Sequence, residues 1–240
     1  MNLTLYPALV LVTLTLILSS WFWLLAAKLV TRRPVDQIVR MFIYAYGRIW
    51  MFLARPFVRF SVMVDPAATA AGPAIIVSNH LSFFDIYCVA GLPFWNLAFV
   101  VRAWPFKMFW FAPFMHLAGY VNSEDLHADE FLAACSRILE RGGSVMVYPE
   151  GHRSKDGTLK RFHSGAFKLA TESGAAVIPV CITGTDRLLP PGSFLMRPAR
   201  IRMRALAPVR PEQFQGPSAH QDMRRHVKER MAQTLAEMAA

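Results

Sequence analysis

Three cysteines, Cys88, Cys135 and Cys181, are scattered through 240 residues. Odd in number, widely spaced and set among apolar neighbours, they argue against a disulfide frame or a thiolate metal site and read as reduced, buried thiols. Charge is scarce as well. Only 18% of the residues are charged against 54% hydrophobic, too apolar for an ordinary cytosolic enzyme, and this implies membrane association. Acidic residues are the scarcer sign, 16 against 26 basic, and the formal net charge of +10 points to anionic partners. The basic residues form no blocks and follow an apolar N-terminus, which favours lipid over nucleic acid. Absent motifs narrow the chemistry further. There is no Gly-x-Ser-x-Gly elbow, no phosphate-binding Gly-x4-Gly-Lys-Ser/Thr loop and no His-Glu-x-x-His helix, so a serine hydrolase, a nucleotide hydrolase and a zinc protease are all disfavoured. The chain has no internal repeat and no low-complexity segment.

What is present starts with a long apolar run. Leu3 to Val30 contain one charge, Lys28, and exceed the ~20 residues a helix needs to cross a bilayer. A signal peptide is the competing reading, but no basic residues precede the run, no clear small-x-small site ends it, and its apolar part is too long. Residues 1–33 are therefore expected to form a transmembrane segment. Lys28, Arg32 and Arg33 lie at its end, so the positive-inside rule puts the remainder on the cytoplasmic side of the cell inner membrane. Residues 34–60 set Ile38, Met41, Phe42, Ala45, Ile49, Phe52 and Leu53 among Arg40, Arg48, Arg55 and Arg59. That pattern suits an amphipathic interfacial helix with arginines reaching headgroup phosphates, and it equally suits a helix covering a core.

Residues 61–240 alternate strand-like and helical runs. Strands are expected at 61–65, 74–78, 95–102, 119–122, 144–148, 176–183 and 199–206, with helices near 82–91, 106–116, 127–141, 164–173 and 218–239. Such alternation predicts an α/β fold, a layered mixed β-sheet flanked by helices. The aromatic run "WPFKMFWFAPF" at 104–114 suits an acyl-chain channel, a membrane-facing rim or a core helix.

Two polar clusters each follow a strand. In "VSNHLSFFDIY", residues 77–87, His80 comes just after a short apolar run and Asp85 five residues later. This could be a base with its orienting carboxylate, or a capped helix start. In "VMVYPEGHRSKDG", residues 145–157, Glu150, Gly151, His152, Arg153 and Ser154 follow the expected 144–148 strand. Ligands of α/β sheets bind beyond strand C-terminal ends, so the clusters can converge on one site. A surface-loop ion pair is the plainer reading of Glu150 and Arg153.

Taken together, "NHLSFFD" and "YPEGHRS" resemble the Asn-His-x-x-x-x-Asp and Phe-Pro-Glu-Gly-Thr-Arg-Ser motifs of the glycerolipid and lysophospholipid acyltransferase family. "RFHSGAFKLA" at 161–170 and "VIPVCI" at 177–182 are similar to two later family segments, in the same order. The resemblance spans roughly residues 60–210. It implies that His80 is the general base and Asp85 its orienting partner. It further implies substrate-binding roles for Glu150, Gly151, Arg153 and Arg102, although Arg102 also reads as a solvated strand-end arginine. No resident cofactor or metal is implied. Acyl-CoA or acyl carrier protein serves as co-substrate, and the acceptor is a lysophospholipid in the membrane, foremost 1-acyl-sn-glycerol-3-phosphate, giving phosphatidic acid. Another lysolipid, such as a lyso-ornithine lipid, is the alternative acceptor. A non-catalytic lipid-binding protein on the same fold is the alternative from a different class, and intact His80 and Asp85 argue against it. Two departures stand out: Tyr148 and His152 replace the motif's phenylalanine and threonine, and Asp125 stands near a place where many lysophosphatidate acyltransferases carry arginine.

Overall fold

The computed structural model describes residues 1–154, 156–190 and 192–239. Nearly uncharged, the first segment forms a single helix, α1 (Asn2–Thr31), with Pro7 inside it. It ends where Arg32 turns left-handed (φ 55°) and Pro34 blocks further helix. α2 (Val35–Ala54) begins at once, with Asp36 at its positive end, and folds back on α1, where Thr13 Oγ1 and the Tyr46 hydroxyl meet at 2.7 Å.

The α/β unit follows with β1 (Val58–Val64), α3 (Pro66–Ala70), β2 (Ile75–Ser78), α4 (Asp85–Cys88), β3 (Leu97–Val101), α5 (Ala112–Leu117) and β4 (Val121–Asn122). It continues with α6 (Ala128–Glu140), β5 (Ser144–Val147), α7 (Gly165–Ser173), β6 (Val177–Thr183), α8 (Thr185–Leu188), β7 (Ala199–Ala205) and α9 (Ala219–Ala239). All seven expected strands are present. The long aromatic helix expected at 106–116 is instead a 3₁₀ turn, Trp104–Lys107, then α5, because Pro105 and Pro113 each start a new helical turn.

The strands form one sheet in the order β1-β7-β6-β2-β5-β3-β4. Every pairing is parallel except β6 with β7, so the sheet is mixed. β2 lies between β5 and β6, and all four of its residues are buried, as a central parallel strand requires. Its side chains alternate between two cores. Ile76 joins Phe84, Met146 and Ile178 on the face covered by α1, α2 and α4, while Ile75 and Val77 join Leu132, Phe167, Val227 and Met231 of α6, α7 and α9. Each buried side chain of this size contributes roughly 1.5–3 kcal/mol, enough to fix where β2 ends. The parallel strands β6, β2, β5 and β3 therefore open their C-terminal ends, Thr183, Ser78, Val147 and Val101, on one edge.

The N-terminal helices both contact the α/β unit, and α1 is long and apolar enough to cross a membrane. The Asn2 side chain exchanges two 2.9 Å hydrogen bonds with the Met196 backbone, the Tyr6 hydroxyl donates to the Phe194 carbonyl, and Arg33, just past the other end, lies 4.9 Å over the Trp95 ring. Both ends of α1 thus contact the unit. Leu11, Leu14, Leu18, Phe22, Leu25 and Leu29 form an exposed stripe, whereas Leu5 and Leu9 are buried. α2 ends at Ala54, short of the expected bound at 60, leaving residues 58–60 to β1. It packs on α4 and α5 and buries Ile38, Val39 and Met51, as a core-covering helix does. Arg40 does not reach outward. Only 3% exposed, it donates to Ala118 O at 2.7 Å and Asn96 Oδ1 at 3.1 Å and pairs with Asp36 at 3.3 Å. Gly143 makes this possible, since a Cβ there would stand 2.7 Å from the guanidinium.

Candidate active site

β2 delivers its last residues to the open edge, and Asn79 anchors them. Its amide donates to Ile182 O (2.9 Å) and accepts from Ile182 N (2.8 Å), so a side chain continues the β2–β6 pairing by one step. His80 comes next, at a fixed backbone position. Its amide donates to Glu150 Oε1 (3.0 Å) and its carbonyl accepts from Ser154 N (2.7 Å). The loop after β2 is thereby tied to the loop after β5.

Asp85 opens α4 and is fully buried. One of its oxygens, Oδ2, takes three donors: His80 Nδ1 at 2.8 Å, Leu81 N at 2.7 Å and Ser82 N at 2.9 Å. The capped turn and the oriented histidine, alternatives in the sequence, are both present and use the same carboxylate. A carboxylate accepting here makes Nδ1 the protonated ring nitrogen and leaves Nε2 as the lone-pair atom. The His80 ring keeps 18% of its surface exposed and stacks on Tyr148, centroids 4.1 Å apart and planes 21° apart.

Glu150 is buried, and both of its oxygens are engaged, Oε1 by His80 N and Oε2 by Lys160 N at 2.8 Å. Burial pushes its carboxyl above the usual range, and the two amide bonds pull against that shift. The sequence offered a substrate-binding role for Glu150 or a surface ion pair with Arg153; its observed partners are two backbone amides. Gly151 adopts φ 71°, and a Cβ there would lie 3.2 Å from His163 Nε2, so the close approach it permits is that of His163.

Glu150, His152, Arg153, Asp156, Lys160, Arg161 and His163 line an open cavity of about 590 Å³. Three of them are permanent cations. Asp156 offsets one, pairing with Lys160 Nζ at 2.5 Å, and contacts from Lys160, Thr158 and Ser154 hold its carboxyl well below the usual carboxylate range. Arg153 is exposed and lines this cavity. Arg102 is elsewhere: it pairs with Glu124 Oε1 at 2.5 Å on the surface and does not line the cavity. Asp125 is also exposed and outside it, its carboxylate accepting from Asn122 Nδ2 at 2.5 Å. Sequence reasoning missed the Asn79 clamp and the Tyr148 stack. The only hint of either was their place inside the two motifs.

The fold and the site define a class: an α/β protein with a His–Asp pair at the open edge of its sheet and a cation-lined cavity beside it. The acyltransferase family matches residues 59–183, more than half of the chain and all of this site except the sheet's outer margin. The chain belongs to that family. It is 31% identical over 163 residues to the chloroplastic 1-acyl-sn-glycerol-3-phosphate acyltransferase LPAT1 of Arabidopsis thaliana, covering 66% of this chain and 46% of that one. Against the chloroplastic enzyme BAT2 of Brassica napus the identity is 29%, covering 66% and 47%. The chain thus spans about half the length of these curated relatives. The crystal structure of the 1-acyl-sn-glycerophosphate acyltransferase PlsC from Thermotoga maritima shares the fold, with a TM-score of 0.80 at 23% identity, covering 100% of this chain and 96% of that one.

Proposed function

We propose that the protein is an O-acyltransferase that moves an acyl chain from acyl-CoA or acyl carrier protein to the hydroxyl of a lysophospholipid, foremost 1-acyl-sn-glycerol-3-phosphate, producing phosphatidic acid. The observation that carries this reading is the placement of an Asp85-held imidazole beside a cation-lined cavity. His80 Nε2 takes the proton of the acceptor hydroxyl as its oxygen attacks the thioester carbonyl carbon. The carbon–sulfur bond then breaks, and the imidazolium returns the proton to the leaving thiolate. Asp85 holds the tautomer and stabilises the transient imidazolium, and a base so placed contributes about a hundredfold to ten-thousandfold. No covalent enzyme intermediate is required.

Arg153 binds the acceptor phosphate, with Arg161 adding positive potential while Asp156 offsets Lys160. Glu150 acts through the backbone, fixing the position of His80. The exposure of Asp125 away from the cavity supports a phosphomonoester acceptor, because no carboxylate at that place opposes a dianion. The exposed leucine stripe of α1 supports attachment to the cytoplasmic face of the inner membrane, with α1 lying in the lipid surface on the domain's side. Detergent-solubilised protein, labelled acyl-CoA or acyl carrier protein and a panel of lysolipids test the reading. Turnover is expected to be fastest with lysophosphatidate. A preference of tenfold or more for zwitterionic or amino-acid lysolipids would overturn the acceptor assignment, and no turnover with any of them would overturn the activity.

A further inference from the structure

Tyr148 stands where the resembling motif has phenylalanine, so the aromatic ring is the shared part and the hydroxyl is this chain's addition. The ring is half-buried and stacks on the His80 imidazole. Its hydroxyl is buried and bonded to no protein group among the described residues. Asp85 Oδ1 is in the same condition: buried, unbonded, and on a carboxylate whose other oxygen already takes three donors. Four buried side-chain polar atoms among the described residues have no protein partner, Trp50 Nε1 and Thr185 Oγ1 besides these two, and such atoms are costly and commonly joined by an internal water. Of the possible donors, Tyr148 is the one whose ring stacks on the imidazole that Asp85 holds, and its phenol can donate where the carboxylate oxygen only accepts. Burial, and after it the Asp85 carboxylate, push the Tyr148 phenol well above its ordinary range, so it remains a donor.

We propose that Tyr148 is a positioning residue of the His80–Asp85 pair: its ring sets the plane of the imidazole, and its hydroxyl serves Asp85 Oδ1 through one buried water. The carboxylate charge is then shared between two hydrogen-bonded oxygens, rather than concentrated on the oxygen that holds His80. The inference rests on the acyltransferase reading for its catalytic meaning but not for its test.

Tyr148→Phe keeps the ring and removes only the donor. In ¹⁵N-histidine-labelled protein the His80 Nδ1 proton is expected to move downfield, because Asp85 Oδ2 becomes the stronger acceptor. The melting temperature is expected to fall, because a bridged carboxylate oxygen loses its partner. A hydroxyl that was merely buried and unserved would give the opposite sign, since replacing it with hydrogen relieves a desolvated group. With turnover measured alongside, kcat falls roughly tenfold at unchanged KM for both substrates, as loss of one hydrogen bond to a charged group implies. An unmoved Nδ1 proton, or a raised melting temperature, overturns the proposal. A wild-type protein that turns over no lysolipid refutes the activity instead, and leaves both physical readouts decisive for Tyr148.

Discussion

Replacing Glu150 with glutamine is the most informative small change outside the His–Asp pair. In the wild type its carboxylate accepts from His80 N at 3.0 Å and from Lys160 N at 2.8 Å, in a position only 5% exposed. Glutamine keeps one acceptor oxygen and turns an NH₂ toward the other amide, so one charge-assisted bond is replaced by two opposed donors. A hydrogen bond to a charged group contributes about 1.5–3 kcal/mol, and the amide left buried without a partner accounts for much of that loss. Relief of burying a charge offsets part of the cost, so a net destabilisation of about 1–3 kcal/mol is expected. For a chain of this size that corresponds to a melting temperature lower by roughly 2–12 °C. Because the lost bond holds the His80 backbone, kcat should fall as well, by roughly tenfold for a displacement of a fraction of an ångström.

The pH dependence has a definite sign. Burial raises the folded-state pKa of Glu150 above its ordinary value of 4.5, so the folded protein binds this proton more tightly than the unfolded chain. Its contribution to stability is therefore complete below pH 4.5 and declines as pH rises through the folded-state pKa. Glutamine does not titrate, and the stability gap between wild type and Glu150→Gln should narrow across that window. Thermal unfolding in detergent at several pH values, with steady-state kinetics at one, measures both effects. A variant as stable and as active as the wild type, or a gap that widens with rising pH, would refute the role assigned to this carboxylate.

Arg153→Ala should raise KM for lysophosphatidate about tenfold while KM for the acyl donor stays within twofold; an effect confined to the donor would move Arg153 to the carrier's side of the site. Asp125→Arg should change kcat/KM for lysophosphatidate by less than about twofold, because the residue lies outside the cavity; a tenfold gain would place it at the acceptor. Burial pushes the thiols of Cys135 and Cys181 up to about 12 and that of Cys88 well above its ordinary value. The folded protein should therefore resist maleimide at neutral pH and react at all three cysteines in denaturant, and fast labelling of the native state would contradict their burial.

The α/β unit was legible because its strands are short, apolar and bounded by turn residues, so all seven could be located from pattern alone. The His80–Asp85 pairing was legible too, since five residues separate them across a helix start and only a short turn joins them. What could not be read depends on contacts distant in sequence. Asn79 reaches Ile182, Glu150 reaches the His80 amide, and Arg40 reaches Ala118, each across 70 or more residues. Arg40 also shows why helical periodicity misleads at a buried cation: its four-residue spacing from Asp36 suits an exposed face, and the acceptors that allow burial lie in other elements. The length and hydropathy of α1 were sufficient to predict a helix but not its contact with the loop before β7, where the Asn2 side chain and the Met196 backbone exchange two hydrogen bonds. Arg102 matched its expected place along the chain, yet Glu124, 22 residues on, holds it at the surface.

The central claim is that His80 is the base, and single-turnover acyl transfer by His80→Ala tests it most directly. The account predicts a loss of a hundredfold or more in a protein that remains folded, with detergent extraction unchanged, because the backbone at position 80 stays fixed by Glu150 and Ser154. A variant that folds normally and retains more than about a tenth of the wild-type rate would contradict it.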